Sequence, residues 1–369
     1  MTRPTWAEVD LDAIRDNARA LAALATPARL CAVVKADGYG HGAAAAAGAA
    51  LAGGASWLAV ALVEEGVALR RAGVTAPILL LSEPPDVGAA VAAGLTPTVY
   101  TEAGAAAAGD APVHLKIDTG MRRVGADHDR ALELAQSIPR LEGVWTHFAV
   151  ADRPDDPFTA EQARRFDELL ADLDAAAVRP PLRHACNSAG LLNHPQHRYD
   201  MVRCGLALYG ALPGLRPALA LRSRVSYVKE IAAGEGVSYG LRYRAPGRTT
   251  IATVPIGYAD GVPWRLGVGG GVGGGLGGGE VRGEVLIGGR RRPIAGGVTM
   301  DQLTVDCGPD DAVRPGDEVV LIGPQGDERI TAQEWADRAG TISYEVLAGI
   351  GPRVPRRTVG AAVSPAPAS

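Results

Sequence analysis

The run Leu30-Cys31-Ala32-Val33-Val34-Lys35-Ala36-Asp37-Gly38-Tyr39-Gly40-His41-Gly42 carries an apolar stretch into a glycine-punctuated loop, with a lysine at the junction. Residues 30–34 read as a buried strand. Lys35 stands at its carboxyl end, where burial disfavours an ammonium unless it is paired or doing chemistry. A lysine held neutral attacks aldehydes, which makes Lys35 a Schiff-base candidate. A merely structural lysine is the alternative. In the loop that follows, Tyr39 offers a phenol to an anionic group such as a phosphate.

Outward from that strand the pattern repeats. Short apolar runs at 57–61, 78–81, 96–99, 113–117 and 141–146 alternate with amphipathic pieces at 63–71, 130–136 and 159–175. Repeated βα units predict a parallel sheet, and this many between residues 10 and 228 favour a closed, TIM-like (β/α)8 barrel. Such barrels collect their chemistry at the carboxyl ends of the strands. Lys35, Asp118, His147, Asn187 and Ser188 all follow expected strands.

Beyond residue 228 the texture changes. Alternating strands at 223–231, 249–255, 283–287 and 318–322, joined by turn-rich segments, predict a mainly β domain over 229–362. The strand at 5–9 has no preceding helix, so residues 1–9 are expected to join that domain. The glycine-rich stretch 267–279 contains GxGxxG-like arrangements without a strand-to-helix context, and reads as a flexible surface loop rather than a nucleotide loop. The Pro/Ala-rich segment 363–369 reads as a disordered tail.

Composition narrows the class. With 369 residues the chain is long enough for two or three domains. A net charge of −4 leaves no electrostatic footprint for nucleic acid or an anionic membrane surface. Cys31, Cys186, Cys204 and Cys307 are far apart with no CxxC pair, so neither a zinc site nor a disulfide framework is expected. The amino terminus lacks an apolar signal core, and no stretch is apolar enough to span a bilayer. A cytoplasmic protein without a metal is the expectation.

Several further blocks carry chemistry-bearing side chains. His114-Leu115-Lys116-Ile117-Asp118-Thr119-Gly120-Met121-Arg122-Arg123 sets a lysine and two arginines beside an aspartate, a pattern that also suits a solvated salt-bridge cluster. His147 ends a strand, where a structural histidine is equally at home. Arg203-Cys204-Gly205-Leu206, Ser238-Tyr239-Gly240, Gly257-Tyr258-Ala259-Asp260-Gly261, Thr299-Met300-Asp301-Gln302 and Ser343-Tyr344-Glu345 complete the set.

Together these blocks resemble the alanine racemases, pyridoxal phosphate enzymes of barrel-type fold III, from about Trp6 to Arg356. The resemblance implies a racemase that interconverts L- and D-alanine while the amino acid is joined to pyridoxal 5′-phosphate, and that supplies D-alanine for peptidoglycan. It makes Lys35 the cofactor lysine and one catalytic base. Tyr239, contributed by the partner subunit of a homodimer, is the other. Tyr39, Ser188, the Gly205 and Leu206 backbone and Tyr344 are the implied phosphate ligands, with Asn187 in the same turn. His147 would stack on the cofactor ring and Arg203 would face its pyridine nitrogen. Arg123 is implied to donate to the cofactor's phenolic oxygen and, with Met300 and Asp301, to serve the substrate, Tyr258 to flank the approach to the site, and Lys116 to form a carbamate with CO2 that holds Arg123.

Three positions depart from the family pattern: Arg122 where glycine is usual, and Gly297 and Trp264 where arginines are common near the entrance. A broader small-amino-acid racemase is the nearest alternative. A fold III decarboxylase and a non-catalytic pyridoxal phosphate carrier are weaker ones, because the Gly257–Gly261 and Ser238–Gly240 blocks fit neither.

Overall fold

The structure, a computed structural model, describes residues 3–267, 282–309 and 312–360. The expected loop at 267–279, apart from Gly267, and the expected tail at 363–369 lie outside the described residues. Contacts divide the chain into one unit of residues 12–216 and another made of the amino-terminal segment up to Leu11 with residues from 217 onward.

The first unit is built from parallel strands. After β1 (Trp6–Asp10) come β2 (Arg29–Val33), β3 (Trp57–Val60), β4 (Ile78–Leu80), β5 (Thr98–Val99), β6 (Val113–Lys116), β7 (Leu141–Trp145), β8 (Leu182–His184) and β9 (Met201–Cys204). They form two four-stranded runs, β4-β3-β2-β9 and β5-β6-β7-β8, every pair parallel. Two seams close the ring. Thr96 N–H donates to Ile78 O and Leu80 N–H to Thr96 O, both at 2.9 Å, joining β4 to the segment that enters β5. Asp200 N–H donates to Arg183 O and Arg203 N–H to Cys186 O, also at 2.9 Å, joining β8 to β9. The result is a closed eight-stranded barrel.

Leu58, Ala59, Val60, Ile78, Leu79 and Leu80 are fully buried, as expected of strands covered on both faces. Strands β8 (Leu-Arg-His) and β9 (Met-Val-Arg-Cys) escape an apolar-run criterion because His184 and Arg203 occupy buried positions in them. Helices Ala43–Ala52, Val63–Arg71, His128–Ser137 and Phe158–Ala175 are among those that connect the strands.

The second unit is mainly β. Its elements are β10 (Leu219–Arg224), β11 (Tyr227–Ile231), β12 (Gly236–Val237), β13 (Tyr243–Arg244), β14 (Thr249–Val254), β15 (Glu284–Ile287), β16 (Arg290–Pro293), β17 (Leu303–Asp306), β18 (Glu318–Gln325), β19 (Glu328–Ile330) and β20 (Arg356–Val359). The larger sheet runs β16-β15-β18-β10-β1-β20, with β19 on β18. β1 pairs antiparallel with β10 and parallel with β20. A three-stranded sheet runs β11-β14-β17, and β12 with β13 makes a short hairpin.

One expected strand, 223–231, is two strands in different sheets. Val225 N–H donates to Asp317 O and Ser226 N–H to Thr253 O, so the ladder partner changes within two residues. For the same reason β10 belongs with β1 and β18, and the division falls between Arg216 and Pro217 instead of at 228. Among the described residues no helix is long and apolar enough to cross a membrane.

Candidate active site

Lys35 follows β2 by way of Val34 and opens a turn of left-handed backbone: Ala36, Asp37, Gly38, Tyr39 and Gly40 have φ of 51, 52, 64, 53 and 80°. Left-handed backbone costs an L-residue roughly 1–2 kcal/mol, so the turn must be held from outside. Glu65 does this. Its Oε1 accepts from Ala36 N–H at 2.6 Å, while Oε2 accepts from Ala61 and Leu62 N–H at 2.9 and 3.1 Å. Asp37 caps the following helix through Ala43 N–H at 2.8 Å. Burial, and then the charge of Arg123, push the Lys35 amine below the usual lysine range, with Glu65 opposing.

Cations converge nearby. Lys116, at the end of β6, is buried with its ammonium 4.3 Å from the Trp145 ring centre. Burial, followed by Arg203 and Arg123, brings its amine down to about 7; Lys35 adds to this and Asp118 opposes it. Arg203 in β9 is buried with its guanidinium 4.4 Å from the same ring. It donates to His184 Nδ1 at 2.7 Å, to Thr146 O and Ala185 O at 2.9 Å, and to His147 Nδ1 at 3.2 Å. None of these acceptors is a carboxylate. Burial lowers Arg203 to about 10, which still leaves it charged at neutral pH.

Because Arg203 always donates, both histidines must accept through Nδ1, and each then carries its proton on Nε2. His184 passes the direction on: its Nε2 lies 2.8 Å from His114 Nδ1. Burial and the Arg203 charge hold His147 and His184 well below the usual histidine range, and bring His114 to about 3. All three are neutral.

Beside this cluster, hydroxyls and backbone N–H groups come together. Ser188 Oγ accepts from Gly205 N–H at 3.0 Å and Ala207 N–H at 3.3 Å. A Cβ on Gly205 would lie 2.5 Å from Tyr39 Oη, so only glycine lets the phenol approach that backbone. Leu206 begins the short turn Leu206–Tyr209. Asn187 is the cap of helix Ser188–Asn193, accepting from Gly190 N–H at 2.8 Å. Arg123 is exposed, yet its charge reaches Lys35, Lys116 and His147.

The second unit gathers another expected set. Tyr239, Tyr258, Met300 and Asp301 line one cavity of about 810 Å³, together with Trp264 and Gly297. Tyr239 sits at the tip of the β12–β13 hairpin, 83% exposed. Tyr258 and Met300 are on segments zipped together by Tyr258 N–H to Thr299 O at 2.9 Å and Ala259 N–H to Met300 O at 3.1 Å. Buried Asp260 ties that turn down, accepting two 2.8 Å bonds from Arg3 and one from Gly257 N–H at 3.0 Å. Arg353 binds Asp301 at 2.6 Å. Tyr344 is exposed on helix Ser343–Ala348. A side chain at Gly297 would meet nothing within 4 Å, and Trp264 carries the Arg242 guanidinium 5.8 Å from its ring centre.

Reading by motif did not single out Glu65, Trp145, His184 or Arg3. His114 and Asp260 lay within quoted motifs without a role. The last residue of β8 and the first turn after β3 offer a retrospective signal, since a polar side chain at a strand end needs a partner; Arg3 has none in the sequence.

Comparison with known proteins gives one answer. Residues 9–213 match the family model for the alanine racemase N-terminal domain, and 218–358 the model for the alanine racemase C-terminal domain. The chain is 49% identical to the alanine racemase of Symbiobacterium thermophilum over 377 residues, covering 96% of this chain and 97% of that one. It is 43% identical to the alanine racemase of Thermobifida fusca, covering 96% and 98%. Among solved structures, the alanine racemase of Streptomyces lavendulae superposes with a TM-score of 0.89 at 38% identity over 98% of both chains. The alanine racemase of Bacillus anthracis with bound L-Ala-P gives 0.87 at 38% identity over 98% and 96%.

Arg122 has a φ of 53°, and its N–H, with that of Gly120, donates to Asp118 Oδ1. A glycine keeps that bond and removes the left-handed penalty, offset in part by the freedom glycine gains on unfolding. Arg122→Gly is therefore expected to stabilise the protein by up to about 1 kcal/mol. Thermal or urea unfolding checks this; a variant less stable than the parent shows that the Arg122 side chain has a compensating contact.

Proposed function

The chain belongs to the alanine racemase family, and from that premise we propose that it interconverts L- and D-alanine with pyridoxal 5′-phosphate as cofactor, supplying D-alanine for peptidoglycan. The observation that carries the reading is the convergence of Lys35, Lys116, Arg123 and Arg203 around neutral histidines, with Asp118 and Glu65 as the acids that oppose them. Such a site suits an anionic aromatic aldehyde with a phosphate arm. Lys35 would hold its aldehyde carbon. The phosphate would lie among Tyr39, Ser188, the Gly205 and Leu206 backbone and Tyr344. No disulfide joins the four cysteines, which fits a reducing cytoplasm.

When bound, the cofactor draws electrons from the amino acid's Cα and acidifies its proton. The protein's own groups then decide which way that proton moves. Racemisation needs a base on each face, because one base tends to return the proton to the face it left. The depressed amine of Lys35 serves the D face of alanine. Tyr239 serves the L face, and its exposure on the hairpin tip supports a role in a partner subunit's barrel. His147 supports its phenolate. Arg203 would face the cofactor's ring nitrogen and holds its own protons too firmly to give one up, which would favour return of a proton to Cα over side reactions. Arg123 and the Met300 N–H hold the substrate carboxylate, with Asp301 alongside, and Tyr258 flanks the approach. Lys116, with an amine near 7, is partly free base at neutral pH and in that form able to take up CO2. As a carbamate it would become an anion that orients Arg123.

Three experiments test this. Borohydride reduction of the holoenzyme followed by peptide mapping should label Lys35, and a label on another lysine overturns its assignment. Incubation with 13C-bicarbonate should give a carbamate carbon resonance that strengthens as pH rises through about 7, where the Lys116 amine loses its proton. A resonance that persists in Lys116→Met, or none above that pH, removes the carbamate. Finally, mixing inactive Lys35→Ala and Tyr239→Phe proteins under subunit exchange should restore part of the activity through an isologous homodimer with shared sites. Zero activity after verified exchange shows that each site comes from one chain.

A further inference from the structure

The hairpin that presents Tyr239 is rigid at its base and strained at its tip. Val237 and Tyr243 are buried in one apolar cluster with Ile231, Ala245, Ile251 and Ala295, and they pair across the hairpin. Between them the chain makes a tight reversal in which Leu241 N–H donates to Ser238 O at 3.2 Å. Three of its residues have positive φ: Ser238 at 63°, Gly240 at 73° and Leu241 at 46°.

Ser238 is the unusual one. With φ 63° and ψ −173° it occupies a region that is essentially glycine's alone. A glycine would adopt this backbone without steric cost. Serine adds a hydroxyl, and that hydroxyl donates to Gly297 O at 2.9 Å. The approach depends on the neighbouring chain lacking a side chain: a Cβ on Gly296 would lie 2.7 Å from Ser238 Cβ and 2.6 Å from Val237 O. Two features are thus matched across the gap, a strained serine and a bare Gly296-Gly297 backbone that receives it. The phenol of Tyr239 is one residue away and 83% exposed, so its placement depends on how firmly the backbone beneath it is held.

We propose that Ser238 is a positioning residue for Tyr239: its hydroxyl bond to Gly297 O fixes the strained hairpin tip so that the phenol meets the L face of the substrate. The proposal rests on Tyr239 being the L-face base. It predicts a fault confined to one half-reaction, since Lys35 stands on a separate turn with its own support from Glu65.

The test compares Ser238→Ala, Ser238→Gly and Tyr239→Phe in deuterated water, with proton NMR following loss of the Cα proton from L- and D-alanine separately. Misplacing a reacting group by about 1 Å costs up to roughly 100-fold. Both serine variants should therefore lose roughly 10- to 100-fold in L-alanine deprotonation, while D-alanine exchange stays at the parent level. The glycine variant separates positioning from stability. It relieves the backbone strain and should melt no lower than Ser238→Ala, yet it should still lose the L-face step because the tether is gone. A second readout needs no cofactor: with 13C-labelled tyrosine, the Tyr239 ring resonance, assigned by its absence in Tyr239→Phe, should shift or broaden in both serine variants. Equal loss of both half-reactions, or parent rates with an unchanged resonance, overturns the role of Ser238. Full L-alanine deprotonation by Tyr239→Phe instead overturns the assignment of the base itself, and this inference with it.

Discussion

A buried guanidinium with no carboxylate beside it governs the barrel's interior. Removing a cation from water is expensive, and proteins normally offset the cost with an acid. Arg203 is instead held by carbonyl oxygens, two histidine nitrogens and the face of Trp145. All are neutral, so the charge is solvated without being cancelled. Its field then acts on everything nearby. After burial, which is the larger cause, it helps to lower the Lys116 amine and to hold His147 and His184 well below the usual histidine range. A carboxylate in place of His184 would accept from Arg203 and offset its charge, but it could not donate to His114 as the imidazole does.

Backbone strain tracks the same chemistry. Among the described residues, eight non-glycine positions have positive φ, and six of them lie on site-bearing turns: Ala36, Asp37, Tyr39, Arg122, Ser238 and Leu241. Left-handed backbone persists only where surrounding contacts determine it. Glu65 supplies those contacts for the lysine turn, Asp118 for the arginine turn and Gly297 for the tyrosine hairpin. In each case the anchor is a side-chain oxygen or a carbonyl receiving a bond from the strained segment. The second unit uses a charged counterpart, because buried Asp260 binds Arg3 and so ties the Tyr258 turn to the chain's amino-terminal segment.

Much of this was legible from residues alone, and for identifiable reasons. Apolar runs such as 57–61 and 78–81 announce barrel strands because strands covered on both faces have no polar side to show. Lys35 stood out because an ammonium at the end of such a run needs an explanation, whereas Lys116 read as part of a salt-bridge cluster until the resemblance gave it a role. The reading faltered where polarity was turned inward. His184 and Arg203 disguise β8 and β9, since a strand that buries charge lacks the apolar signature of one that does not. It faltered again at Val225-Ser226, where one continuous alternating pattern serves two sheets.

The sequence by itself determined the order of βα units, the change to a β domain and which side chains are candidates for chemistry, because periodicity and residue type are local properties. Tertiary structure decided what those side chains experience. That the Lys116 amine is brought down to about 7 follows first from its burial and then from Arg203 and Arg123, residues brought to it by other strands and loops. That Arg203 has only neutral acceptors follows from barrel closure, which sets β8 and the end of β7 against β9. Charge and hydrogen bonding act through space, and spacing along the chain carries no record of which groups will meet there.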